Sequence, residues 1–399
     1  MNQPSGLRLV YTVGVAQGLA LVTFPAASAI FTSPTGYRFS ATRYGFMFLP
    51  QVLLAIVASG GAPKLARRFG LKRVLVLGLS GDVVAMLLLA ASRMIQGHGA
   101  MAYGVLLIAT GALGFGFGAT VMALNTFAEE LSPGREDRAV LTLNALLGTG
   151  TALAPALAAL FVGLGAWWML PVCVGCASLV LLVLTQREPL QIREDTGGAA
   201  SGLVAAMTQR LPAGFWLFAA AVFVYGILET LNGNWASLYL VLQRGVSVQA
   251  ASWALTAFWA MVTVGRLLFA AISAKVSVRT IYVALPFVLA LALILVSQAR
   301  GDLGGWFAFG TAGLACSAFF PLSISFAGDE FPGMASVMSG ELIAFYQVGY
   351  GVAAFGSGPL RDAGGFSFAM IFAWASVLAV GLGILAAMII RNVPVRASS

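Results

Sequence analysis

The sequence predicts an all-α membrane protein whose twelve transmembrane helices form two pseudo-symmetric six-helix bundles. Three observations predict this class. First, 60% of the 399 residues are hydrophobic and only 9% are charged, whereas a soluble domain carries about 25% charged residues. Second, apolar runs of about 20 residues, the length needed to cross a bilayer, recur along the chain. Third, a residue pattern that follows the fourth run returns after the tenth.

Twelve apolar runs are the predicted spans, numbered here in chain order. They occupy approximately residues 8–32, 42–62, 73–92, 101–127, 138–163, 166–186, 212–240, 247–272, 279–298, 304–327, 336–358 and 366–390. The connections are short except at the polar, Gly-rich stretch 187–211, which falls halfway along the chain and is typical of a linker. We therefore predict an N-terminal bundle at 1–186, a cytoplasmic linker at 187–211 and a C-terminal bundle at 212–399. The first run is not followed by a small-residue cleavage site, which favours a retained span over a removed signal peptide.

The distribution of Lys and Arg predicts the orientation of the spans. With the N-terminus inside, fifteen of the 22 basic residues fall on the inner side and six fall in outer loops. Because basic residues accumulate on the cytoplasmic side of membrane proteins, both termini are expected in the cytoplasm. The net charge of +8 then serves orientation, and no nucleic-acid partner is predicted. Compact loops and the lack of a transit peptide favour the bacterial inner membrane.

The two halves of the sequence resemble each other. FAEELSPG (127–134) after span four matches FAGDEFPG (326–333) after span ten, and a glycine pair follows each. These pairs are Gly148 and Gly150 in span five, and Gly349 and Gly351 in span eleven. Two parallel repeats of six spans are typical of transporters, whose solute site lies near mid-membrane between the halves.

The segment GAPKLARRFGLKRV (61–74) resembles the G-x-x-x-D-R-x-G-R-R signature loop of the major facilitator superfamily. Together with the twelve spans and the repeat, this resemblance covers the whole chain. Residues 123–150, 225–240 and 317–332 are similar to the fucose permease branch of sugar–proton symporters. The resemblance implies a secondary transporter that moves a small, polar, sugar-like solute by alternating access, with proton coupling.

The sequence also departs from that branch. Arg67 stands where the signature loop has an acidic residue, and Leu21 and Val121 stand near the two positions where the fucose permease has carboxylates in spans one and four. Because the two carboxylates are missing, a facilitator without ion coupling is one alternative. The other is a proton-driven efflux permease for amphipathic compounds, in which the aromatic residues recognise apolar bulk.

Glu229 in span seven is the predicted proton-coupling residue and part of the predicted solute site. A charged side chain at the bilayer centre costs about 3 kcal/mol on insertion scales, and burial disfavours the charged form. Such a carboxyl group is suited to take up a proton on one side and release it on the other. At about 100° per residue, Asn232, Trp235 and Tyr239 lie on the same side of the helix as Glu229. This stripe of an amide, an indole and a phenol suits a polyhydroxylated ring.

The remaining predicted solute contacts lie on spans that usually line the central cavity: Gln17, Trp259, Tyr346 and Gln347. The predicted gating residues lie near the cytoplasmic ends of their spans: Arg67, Lys72, Arg73, Asn125, Asn144, Arg266 and Glu341. We expect Glu341 to pair with Arg266 or with the basic loop 64–73. Asn125 and Asn144 are expected to bond each other or the inner gate. Asp82 in span three is expected to be a buried contact to a neighbouring helix.

Several other kinds of function are disfavoured. The only histidine is His98, and the CxxC formed by Cys173 and Cys176 has no further Cys or His nearby, so neither a metal nor redox chemistry is predicted. The GxGxG pattern within 108–124 has no Lys-Ser or Lys-Thr after it, so it indicates close helix packing rather than phosphate binding. We therefore predict no enzyme and no cofactor. The expected partners are the solute, the proton and the bilayer, and a monomer is expected.

Overall fold

The computed structural model describes residues 3–190, 211–272, 275–331 and 334–393. Within these residues the chain forms fifteen α-helices and one short 3-10 helix, with no strand. In this part of the chain, eleven helical spans are long and apolar enough to cross a membrane. The helix Ala335–Asp362 has 28 residues but is not among those eleven. The predicted all-α membrane class is confirmed.

Twelve helical spans follow the predicted order. Spans one to six are Gln3–Ala26 continued by Ser28–Thr32, Ala41–Phe46 continued by Phe48–Phe69, Leu71–Ser92, Gly99–Glu130, Glu136–Gly163 and Met169–Arg187. Spans seven to twelve are Phe215–Arg244, Val248–Ile272, Val278–Gln298, Gly301–Cys316 continued by Phe319–Glu330, Ala335–Asp362 and Phe368–Asn392. The spans alternate in direction, so their connections lie at two ends. We call the end at which Arg187 and Leu211 lie the linker end and the other the far end. Most of the predicted linker lies outside the described residues.

The helices of the two halves pack in the same pattern. Span one packs on span five, span two on span four, and span three on span six; spans seven and eleven, eight and ten, and nine and twelve repeat these pairs. Between the halves, span two packs on span eleven and span five packs on span eight. The surfaces of spans two, five, eight and eleven therefore form most of the interface between the halves.

One glycine of each predicted pair allows two spans of the same half to touch. Gly150 lies against the backbone of Val15 in span one, and Gly349 lies against the backbone of Phe223 in span seven. A Cβ atom at either position would overlap the facing carbonyl oxygen. Small residues at such crossings let membrane helices approach closely and gain van der Waals contact.

The other glycine of each pair faces the opposite half. A Cβ atom at Gly148 would lie 2.7 Å from the hydroxyl oxygen of Thr263 in span eight. A Cβ atom at Gly351 would lie 3.4 Å from Val52 in span two. The repeat seen in the sequence therefore marks two kinds of contact, one within a bundle and one between bundles.

Span ten is interrupted in its middle. Its first helix ends at Cys316, its second begins at Phe319, and the amide of Ser317 turns back to bond the carbonyl of Leu314. The interruption lies beside Glu229 of span seven, because Tyr225, one turn before Glu229, reaches the carbonyl of Cys316 at 2.7 Å. The fold thus places an irregular stretch of backbone next to the predicted site.

Candidate functional site

Glu229 lies near the middle of span seven and is only 7% exposed. Its Oε1 is 2.7 Å from the hydroxyl oxygen of Tyr225 on the same helix. Its Oε2 is 2.5 Å from the hydroxyl oxygen of Tyr346 in span eleven. Burying a carboxyl group is costly unless hydrogen bonds compensate, and both oxygens of Glu229 have such a partner.

Two further spans complete the surroundings of Glu229. Arg266 of span eight is close enough to interact electrostatically with Glu229, and its Nε donates to the carbonyl of Ser317 in the interruption of span ten, at 3.2 Å. The ring of Phe320 packs on Tyr346 with centroids 4.9 Å apart. Spans seven, eight, ten and eleven of the C-terminal half therefore converge on one carboxyl group, and Tyr346 and Phe320 are both only partly buried.

Next to this cluster, two polar atoms have no partner within the described residues. Asn232 donates through Nδ2 to the carbonyl of Leu228, which leaves its buried Oδ1 without a hydrogen bond. The indole of Trp259 lies over Gly233, where an added Cβ would come within 2.8 Å of the ring, and its Nε1 is also unpartnered. One acceptor and one donor beside Glu229 thus have no hydrogen-bond partner among the described residues.

Trp235 and Tyr239 are not brought to Glu229. The Nε1 of Trp235 donates to the carbonyl of Ala353 at 3.0 Å, and the hydroxyl of Tyr239 donates to the carbonyl of Val296 at 2.7 Å. The stripe was predicted only from the angular positions of these residues around the helix axis. Each residue also rises about 1.5 Å along it, so Tyr239 lies about 15 Å further toward the far end than Glu229. These two side chains pack helices together there.

Gln17 contacts a different part of the molecule from Glu229. Its Nε2 donates to Oδ1 of Asp82 at 3.3 Å, which joins spans one and three in the N-terminal half. Asp82 is 1% exposed, and its side chain makes a buried contact between two neighbouring helices. Gln347 follows Tyr346 in span eleven and is partly exposed.

The predicted gating residues do not form one cluster. Lys72 donates to the carbonyls of Gln186 and Glu188 at 2.9 and 2.8 Å, so it ties span three to the end of span six. Arg67 and Arg73 are exposed at the linker end. The contacts of Lys72 therefore join span three to the end of span six and to the first residues of the predicted linker.

The expected pairs among the other gating residues are not formed. Asn125 and Asn144 each donate through Nδ2 to the carbonyl four residues earlier in their own helix, at 2.9 Å. Arg266 donates to span ten rather than to Glu341. In the part of the chain that the structure describes, no ion pair joins Glu341 to Arg266 or to the basic loop 64–73. Short amides near helix ends readily bond their own backbone, a local competitor that residue spacing does not reveal.

A polar network that was not predicted from the sequence joins the halves. The hydroxyl of Tyr44 in span two donates to the carbonyl of Asn234 at 2.8 Å. The Nδ2 of Asn234 donates to the hydroxyl of Tyr350 at 3.1 Å, which also lies 3.5 Å from Nε2 of Gln51. Two features of the sequence indicate such a network. They are the amide of Gln51 in the otherwise apolar span two and the tyrosines Tyr346 and Tyr350 in the more polar span eleven.

The far end is closed by contacts between spans two and eleven. The backbone amide of Thr42 donates to Oδ2 of Asp362 at 2.7 Å, and the rings of Phe46 and Phe355 pack with centroids 5.0 Å apart. Gly45 lies against the backbone of span eleven. At this end of the molecule the two halves are in direct contact.

The comparison with protein families decides the identity of this fold. The family model of the Major Facilitator Superfamily matches residues 9–353. The chain belongs to the Major Facilitator Superfamily. Members of this superfamily are transporters, so the prediction that the protein is not an enzyme is confirmed. No curated protein sequence matches the chain significantly.

Solved structures of Major Facilitator Superfamily transporters share this fold at low sequence identity. The nucleoside transporter NupG superposes with a TM-score of 0.76 at 13% identity, covering 97% of this chain and 100% of that one. The E. coli xylose transporter XylE in its inward-open conformation gives 0.74 at 13% identity, covering 100% and 98%. The E. coli fucose:proton symporter FucP gives 0.61 at 15% identity, covering 98% and 99%.

Proposed function

We propose that this protein is a proton-coupled secondary transporter for a small polyhydroxylated, sugar-like solute. The observation that carries the proposal is the position of Glu229. It is a buried carboxyl group with a hydroxyl partner on each oxygen, and four spans of one half converge on it. An intramembrane carboxyl group of this kind is typical of proton relays in transporters. The similar structures include transporters named for a nucleoside, for fucose and for xylose.

The solute is proposed to bind beside Glu229 in the C-terminal half. The free Oδ1 of Asn232 would accept from a hydroxyl group, and Nε1 of Trp259 would donate to one. The partly buried faces of Trp259 and Tyr346 offer apolar surface to the C–H face of a sugar ring. These three residues and Gln347 are the proposed solute contacts.

A proton that enters from outside and leaves inside supplies the driving force. Moving one charge across 100 mV provides about 2.3 kcal/mol. Since a tenfold concentration ratio corresponds to about 1.4 kcal/mol, this supports accumulation of roughly fiftyfold.

The test is uptake into proteoliposomes driven by an imposed pH gradient, with radiolabelled sugars and nucleosides as solutes. Glu229→Gln should abolish accumulation against a gradient while exchange of solute across the membrane continues. Glu130→Gln, the same change at an exposed residue of the linker end, is the matched control and should accumulate like the wild type. Gradient-driven accumulation by Glu229→Gln would refute the proposed coupling. If uptake by the wild type did not depend on the pH gradient, the protein would be an uncoupled facilitator. Extrusion of dyes without sugar uptake would favour the efflux alternative.

We also propose that the linker end faces the cytoplasm of a bacterial cell, with the protein in the inner membrane as a monomer. The excess of Lys and Arg at this end supports the orientation. An epitope tag at either terminus should react with an antibody only after the membrane of intact spheroplasts has been permeabilised. Reaction before permeabilisation would reverse the orientation.

A further inference from the structure

The hydroxyl group of Tyr225 has one hydrogen and two close acceptors. Its oxygen lies 2.7 Å from Oε1 of Glu229 and 2.7 Å from the carbonyl oxygen of Cys316. A tyrosine hydroxyl donates one hydrogen bond and can accept others. Tyr225 therefore cannot donate to both oxygens at the same time.

The number of hydrogen atoms available to the contacts around Glu229 depends on whether Glu229 carries a proton. When Glu229 is protonated, its Oε1–H donates to the oxygen of Tyr225, and Tyr225 is then free to donate to the carbonyl of Cys316. The hydroxyl of Tyr346 donates to Oε2. All three short contacts are then hydrogen bonds with a donor and an acceptor.

When Glu229 loses its proton, the same contacts have one hydrogen fewer. The hydrogen of Tyr225 is drawn to the carboxylate, because hydrogen bonds to an ionised acceptor are stronger than bonds to a neutral one. The buried carbonyl of Cys316 then loses this donor. That carbonyl belongs to the interruption of span ten, where the helix ends.

We propose that Tyr225 is a positioning residue that links the proton on Glu229 to the interruption of span ten, so that loss of the proton releases the second helix of this span. The inference rests on the proposed proton coupling. It adds a mechanical consequence: the bond between spans seven and ten exists in one protonation state and is absent in the other. The released segment is Phe319–Glu330, which ends at the linker end.

The charged and titratable neighbours of Glu229 are consistent with this assignment. Within the described residues, the groups that packed spans direct toward Glu229 are Tyr346 from span eleven, Cys316 from span ten and Arg266 from span eight. Arg266 donates to the carbonyl of Ser317 rather than of Cys316, so it holds the other side of the interruption. Tyr44 of span two bonds at Asn234 instead.

Hydrogen exchange of the backbone amides in 314–322, measured on the full-length protein in detergent without solute and corrected for the intrinsic effect of pH, tests the proposal. In the wild type, exchange should become roughly fivefold faster as pH rises through the titration of Glu229, which is the change expected for a net hydrogen bond of about 1 kcal/mol. Glu229→Gln keeps a donor toward Tyr225 and an acceptor for Tyr346, so it should stay slow at every pH. Tyr225→Phe removes the link and should stay fast at every pH.

The matched control is Tyr282→Phe. The hydroxyl of Tyr282 in span nine also bonds span ten, at Ser323 Oγ, 3.0 Å away, but it has no contact with Glu229. This variant should keep the pH dependence of exchange. If Tyr225→Phe also keeps it, the link through Tyr225 is wrong. That result is separate from the uptake test, because gradient-driven accumulation can still require Glu229 when Tyr225 does not transmit its protonation.

Discussion

At the scale of single residues, the absence of a side chain matters as much as its chemistry. Gly114 of span four lies against span two, and an added Cβ would overlap the backbone of Gln51. Gly104 lies in the same helix with no heavy atom near the position of its Cβ. Both glycines lie in the same apolar run, so the sequence does not distinguish them. Only at Gly114 do neighbouring atoms leave no room for a Cβ atom.

Gly114→Ala is therefore expected to destabilise the protein by about 1–3 kcal/mol, the usual cost of overpacking. The measurement is thermal unfolding of the purified protein in detergent. Gly104→Ala is the control and should leave the unfolding temperature nearly unchanged. Equal effects of the two substitutions would show that helix propensity, rather than contact with span two, determines the result.

At the scale of helices, the far end is held closed where the first residues of one helix contact the last residues of another. The segment Ala41–Phe46 begins with Ser40 as its N-cap, and the amide of Thr42 donates to Asp362 at the end of span eleven. A carboxylate near a helix N-terminus is stabilised by about 0.3–1 kcal/mol or more through the unsatisfied amides and the helix dipole. Because the two segments belong to different halves, this energy stabilises closure of the far end.

Asp362→Ala should shift the population toward a state whose far end is open, by roughly fivefold for about 1 kcal/mol. Spin labels at Met94→Cys and Leu303→Cys, which are 90% and 76% exposed in opposite halves at this end, would report the change as a longer distance component. The three native cysteines are replaced by serine in this background. Asp302→Asn, an acidic residue next to the label with no role in closure, is the control, and an unchanged distance distribution in Asp362→Ala would contradict the expectation.

At the scale of the whole molecule, the two halves share one packing plan but touch through different residues. Gly150 and Gly349 bring together spans of one half, whereas Gly148 and Gly351 lie at the interface between halves. Alternating access requires each half to stay intact while the interface changes. Substitution of the two kinds of glycine should therefore have different consequences.

Gly150→Val should lower the unfolding temperature, because the added atoms would overlap the backbone of Val15. Gly148→Val instead meets the side chain of Thr263 across the interface, so it should leave the unfolding temperature nearly unchanged and reduce the rate of solute exchange in proteoliposomes several-fold. Both quantities are measured on each variant. The distinction fails if Gly148→Val unfolds as early as Gly150→Val.

The sequence was sufficient to predict an all-helical membrane protein that contains two related halves. Bilayer thickness sets the length of every apolar run, and Glu229 was notable because a carboxyl group is costly in such a run. Both features can be recognised one segment at a time. The family comparison confirms the transporter class that these patterns indicated.

Only the tertiary structure decided which side chains meet. Trp235 and Tyr239 share an angular face with Glu229 but bond helices far along the span, while Tyr225 and Tyr346 converge on it from one turn away and from another span. The physical reason is that a hydrogen bond depends on distances of about 3 Å in three dimensions. The spacing of residues in one helix fixes direction and rise, but not which neighbouring helix lies beside it.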